Sequence, residues 1–159
     1  MPPLRGTPSN ERAFRTRFHA DRPNVTAVAD SILAWATAKP LKRKYTTAPD
    51  QDSCMCRYKL GVQEHKVLTL ETSGLVWILF EELAARFPTR DTAHKTRILA
   101  EFEARLSQVP GRASSGSFAT QAAWQLESID TAAFLGVLDW LVDQLKSSYA
   151  ETLGRDRKL

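Results

Sequence analysis

Residues 54–71 constrain the fold more than any other stretch. Cys54, Cys56, Tyr58 and Leu60 alternate with Met55, Arg57 and Lys59. This period of two puts the first set on one face of a strand and the second on the other. Gly61-Val62 supplies turn chemistry. Residues 65–71 then alternate again, with Lys66, Leu68 and Leu70 on one face and Val67 and Thr69 on the other. Thr72-Ser73-Gly74 makes a second tight turn, and residues 75–80 are apolar on both faces, as in a covered strand. Three strands joined by links this short form an antiparallel meander.

Helical periodicity surrounds this core. Ser9 or Asn10 can cap a first helix whose Phe14 and Phe18 share a face. Val25, Val28, Ala29, Ile32 and Ala36 form a second stripe, bordered by Trp35, which stops near Lys39 because Pro40 disfavours helical geometry at the residue before it. Leu83, Ala84 and Phe87 fit a short helix ended by Pro88. Asp91 caps another, with Ile98, Leu99, Phe102 and Leu106 as its stripe and Val109-Pro110-Gly111 as its stop. Trp124, Leu126 and Ile129 mark a short fourth strand. Asp130 caps a last helix carrying Phe134, Leu138, Leu141, Leu145 and Tyr149. Gly136 inside that helix costs about 1 kcal/mol relative to Ala, which suggests close packing there. The predicted fold class is α+β, an antiparallel meander of three to four strands packed with N-terminal, middle and C-terminal helices. Residues 1–9 read as a flexible leader, 10–150 as a single domain and 151–159 as a frayed tail. Residues 41–52 and 112–117 read as loops.

Charge narrows the function. The chain carries a net +4, and residues 1–48 hold nine Lys/Arg against three Asp/Glu, a net of +6. The basic excess lies in that first third, where it can attract nucleic acid or another acidic partner. Leu-Lys-Arg-Lys-Tyr at 41–45 joins cations to an aromatic, the combination that grips a phosphate backbone and stacks on a base. The expected nucleic-acid contacts are Arg12, Arg15, Lys42, Arg43, Lys44, Tyr45, Arg57 and Lys59.

One letter pattern points elsewhere. Pro49-Asp50, followed by Glu64-x-Lys66, matches the PD…(D/E)xK signature of Mg²⁺-dependent nucleases. In such a site two carboxylates hold the metal and the lysine assists the attack. With the hairpin turning at Gly61-Val62, Glu64 faces Gly61 and Lys66 faces Lys59. Asp50 then lies roughly 36 Å along the strand, at about 3.3 Å per residue. The same register pairs Glu71 near Cys54 and leaves Asp50, Asp52 and Glu71 at one end of the sheet, where they could hold a cation. Otherwise no catalytic residue or metal site is read from the sequence. Cys54 and Cys56 read as buried small side chains, and His19, His65 and His94 are scattered. No phosphate-cradling glycine loop or nucleophile elbow is present, so no cofactor is expected. No apolar run approaches the roughly 20 residues that span a bilayer, and two cysteines make no disulfide framework, so the expected setting is cytoplasmic, without a membrane partner.

The segments AWATAK (34–39), GLVWILFEEL (74–83), LSQVPG (106–111) and FLGVLDWLVDQL (134–145) occur in an order that resembles a small uncharacterised bacterial α+β domain family, sometimes fused to DNA-processing or phage-defence proteins. The resemblance spans about residues 12–148. The sequence departs from it where a glycine-rich basic segment is expected before the first strand and PDQDSC stands instead. By association it implies a DNA-processing or defence context. The favoured expectation is a non-enzymatic nucleic-acid-binding module. The alternatives are a protein-interaction subunit or homodimerising domain, and a metal-dependent nuclease.

Overall fold

A computed structural model describes residues 8–47, 49, 51–113 and 122–157. Five helices and one five-stranded antiparallel sheet are present among them: α1 (Pro8–Asp21), α2 (Thr26–Ala38), β1 (Lys42–Thr47), β2 (Asp52–Leu60), β3 (Gln63–Glu71), β4 (Leu75–Ile78), α3 (Phe80–Ala85), α4 (Thr92–Ser107), β5 (Ala122–Gln125) and α5 (Thr131–Arg157). The strands lie in sequence order, β1-β2-β3-β4-β5. The fold is α+β as predicted, with five strands rather than three to four.

The additional strand is β1, in the segment read as a loop. Its residues KRKYTT carry no alternating apolar run, because β1 is an edge whose side chains are largely exposed. Charged residues on such an edge discourage pairing with other chains. Tyr45 alone supplies an apolar group to the core side, packing its ring 5.5 Å from that of Phe14 in α1. Further along the chain, Arg112 bridges to Trp124, so part of the predicted 112–117 loop pairs with β5, and 114–117 lie outside the described residues.

The β2–β3 hairpin turns at Gly61-Val62, with Leu60 opposite Gln63. Gly61 takes φ +63° as the first of the two turn residues, the position where a two-residue hairpin turn of the II′ kind uses glycine. The register differs from the expected one. Glu64 faces Lys59 and Lys66 faces Arg57, then the pairing shifts to Cys56↔Leu68 and Ser53↔Glu71. Val67 is the extra residue of this bulge. Val67 and Leu68 are both 1% exposed, so two consecutive apolar residues enter the core without breaking the strand. The bulge also moves Lys66 to the face opposite Leu68 and Leu70, correcting the expected grouping of those three.

Every helix contributes to one core, and that core takes side chains from one sheet face only: Tyr45, Cys54, Cys56, Tyr58, Leu68, Leu70, Val76, Ile78 and Trp124. The last helix buries Phe134, Leu138, Leu141 and Leu145 completely, each contributing about 1.5–3 kcal/mol. Trp35 of α2 donates its indole N–H to Asp139 at 2.7 Å, and Lys39 pairs with the same carboxylate at 3.0 Å, tying α2 to α5. Asp91 and Asp130 cap α4 and α5 as expected, accepting from the backbone N–H of His94 and of Ala133. Helix α5 continues to Arg157, through most of the segment expected to fray. Gly136 faces open space, with nothing within 4 Å of where a Cβ would stand, so the expected close packing is absent.

Candidate nucleic-acid interface

The pairings divide the sheet into two chemically distinct faces. The helix-covered face continues from the core outward to Arg43, Thr47 and Asp52. The other face is crossed by three rows of neighbours. One runs Lys42–Arg57–Lys66, the next Lys44–Met55–Thr69–Trp77–Ala123, and the third Thr46–Ser53–Glu71. None of these side chains belongs to the core cluster, so this face is turned away from the core; it is uncovered on its β1–β2 side, where Lys42, Lys44 and Lys59 are exposed, whereas Glu71 and Ala123 on it are buried, 7% and 2% exposed.

Four of the eight expected contact residues meet on that face: Lys42, Lys44, Arg57 and Lys59. Lys66 joins them, brought over by the Val67 bulge. Lys42, Lys44 and Lys59 are exposed, and Arg57 and Lys66 are partly so. Two carboxylates interrupt the patch. Glu64 accepts from Lys42 at 3.2 Å and from Arg57 at 2.8 Å, and Lys66 pairs with Glu82 of α3 at 2.5 Å. The bond from Lys42 holds the Glu64 carboxyl below its ordinary range, opposed by slight desolvation and reinforced by the charges of Arg57 and Lys59. Lys44 has no ion-pair partner among the described residues.

The other four expected residues lie on the helical side. Arg43 points beneath α1, pairing with Glu11 at 3.2 Å and donating to the Thr37 hydroxyl. Tyr45 packs its ring tilted against that of Phe14, and burial pushes its phenol pKa upward. Arg15 is held by Asp30 at 2.6 Å and Glu11 at 3.3 Å, while Arg12 is exposed on α1. A basic helix face and a basic sheet face are thus separate surfaces.

Trp77 and Met55 lie on the cationic face and were not among the expected contacts. Trp77 reads as core in a strand that is apolar throughout. Only the register, Thr69↔Trp77 with Leu70↔Val76, shows that Trp77 points away from the helices. Its indole N–H bonds the Glu71 carboxylate, as does the Gln51 amide. Burial nevertheless raises the Glu71 carboxyl above its ordinary value, against the lowering effect of those two bonds.

The acidic residues do not converge. Asp52 lies on the helical face, paired with Arg17 at 2.8 Å, whereas Glu71 lies opposite Ser53 on the uncovered face. Glu64 and Lys66 share a face, but seven residues of strand separate Lys59, opposite Glu64, from Asp52, roughly 23 Å at about 3.3 Å per residue. Asp50 lies outside the described residues. Among the described residues no three His, Cys, Asp or Glu side chains are grouped to hold a metal ion. Cys54 and Cys56 are free and fully buried, and a hydrogen bond to Cys54 together with burial pushes the Cys56 thiol up. No described helix is long and apolar enough to cross a membrane.

No protein-family model matches the chain, no curated protein matches it, and no solved structure matches it.

Proposed function

We propose that the chain is a nucleic-acid-binding module whose contact surface is the uncovered sheet face. One observation carries this reading. Lys42, Lys44, Arg57, Lys59 and Lys66, from three strands, share a face where Glu64 and Glu82 are the paired carboxylates. Cations on a flat, uncovered surface neutralise phosphates and release their counterions on binding. The resemblance of segments 34–39, 74–83, 106–111 and 134–145 to a bacterial family makes DNA processing or phage defence the setting in which to seek the natural ligand. No step of bond cleavage is assigned.

The test is binding of fluorescent oligonucleotides, followed by anisotropy at several salt concentrations. About three uncompensated cations predict a log–log salt slope near −2 for a single strand, so affinity drops about 15-fold between 50 and 200 mM salt. Replacing Lys42, Lys44 and Lys59 by alanine removes most of that slope, whereas replacing Arg12 and Arg15 leaves it. Binding that ignores salt, or that follows Arg12 and Arg15, refutes the assignment.

A second reading has its own observation. Val62 at the hairpin tip is 97% exposed, beside a face that also carries Met55, Leu75 and Trp77 outside the core. This would suit a protein partner or a second copy of the chain. A solution mass twice the monomer's, lowered by Val62→Asp, would favour it.

A further inference from the structure

We infer that the ligand of the uncovered face is a single strand laid across β1–β4, with its bases against Trp77 and Met55. This rests on the nucleic-acid reading above. The Lys42–Arg57–Lys66 row spans three adjacent strands, roughly 10 Å at about 4.8 Å per strand. The Lys44–Met55–Thr69–Trp77 row runs beside it, two residues away along β1 and β2, or roughly 7 Å. A polynucleotide crossing the strands would place phosphates over the first row and bases over the second.

The chemistry of the second row suits bases rather than phosphates. Lys44 stands at its edge, followed by a thioether, a hydroxyl and an indole. Each is partly exposed beyond Lys44, and none belongs to the core. The bond from Trp77 to Glu71 fixes the indole, so little side-chain freedom is lost when a base stacks on it.

A duplex fits this surface poorly. Its bases are hidden in the stack, and reading them takes an element that enters a groove. Here the aromatic lies within a sheet face and is itself partly buried, so it meets only a base that is already unstacked.

The test compares a labelled oligothymidylate of about 12 nucleotides with a mixed-sequence duplex of the same length, a span suited to one small domain. The expected result is single-strand binding roughly ten-fold tighter than duplex binding at equal salt. Trp77→Ala should lose roughly ten-fold for the single strand, while Trp77→Phe stays near the parent. If Trp77→Ala fails to fold, Met55→Glu is the second variant, since a carboxylate in the base row should weaken single-strand binding selectively. Equal or tighter duplex binding, or single-strand binding indifferent to Trp77 and Met55, overturns this inference and leaves the nucleic-acid reading standing. Absence of binding to both probes at low salt refutes the nucleic-acid reading itself.

Discussion

Two glycine-to-alanine substitutions should change stability in opposite directions. Gly136 lies in the interior of α5, and a methyl group added there meets nothing within 4 Å. The substitution therefore brings helix propensity without a packing cost. That is worth about 0.8–1 kcal/mol, partly by restricting the unfolded chain. For a chain of this length it should raise Tm by about 2–4 °C. Gly111 has φ +98°, and a Cβ there would stand 2.5 Å from Ile129 Cα and 2.6 Å from Ile129 N. Those are backbone atoms, held by the bonds from Gln125 N–H to the Gly111 carbonyl and from Ile129 N–H to the Gln125 carbonyl, both 2.9 Å. They cannot swing aside as a side chain would. The left-handed φ alone costs about 1–2 kcal/mol, and displacing the 128–129 backbone should bring the loss to about 3 kcal/mol. Urea unfolding followed by tryptophan emission measures both, provided the slope with denaturant is unchanged. A destabilised Gly136→Ala would mean that the outer side of α5 is packed, and a wild-type-like Gly111→Ala would refute the described approach of 111 to 129.

Other expectations follow from the buried polar groups. Arg17→Met removes the guanidinium from Asp52, whose side chain is 10% exposed, and should cost about 2 kcal/mol at neutral pH, less than for a fully buried pair. Adding Asp52→Asn should recover part of that loss, and strict additivity in the double-mutant cycle would contradict the coupling. His65 is 1% exposed, and burial, with the charge of Arg86, lowers its pKa below 6.5. The fold favours its neutral form, so this contribution to stability is present above 6.5 and is lost as pH falls through the folded value. Urea midpoints between pH 8 and 5 should fall more steeply for the parent than for His65→Phe, and parallel profiles would show that His65 does not titrate on unfolding.

The legible parts of the sequence were those where side-chain pattern and backbone agree. The β2–β3 turn, the caps at Asp91 and Asp130 and the stripe of α5 follow from local chemistry that tertiary contacts did not override. β1 was hidden because an edge strand covered by helices on one face needs only one apolar residue, Tyr45, to join the sheet. Two adjacent buried residues, Val67 and Leu68, were the trace of the bulge, but a period of two gives no way to choose where the extra residue falls. That choice decides which side Lys66 takes. Within the candidate interface, charge composition pointed to β1 and β2, and Lys66 of β3 joins them only through the bulge. Separating Arg43 from Lys42 and Lys44, and Trp77 from Val76, required the register of five strands.

The central claim is that the uncovered sheet face is the binding surface. The most direct test follows backbone amide chemical shifts of the labelled chain while a single-stranded oligonucleotide is added. The account predicts that the shifting amides cluster at Lys42, Lys44, Met55, Arg57, Lys66, Thr69 and Trp77, in β1 to β4. Shifts confined to α1 around Arg12 and Arg15, or no shifts at low salt, would contradict it.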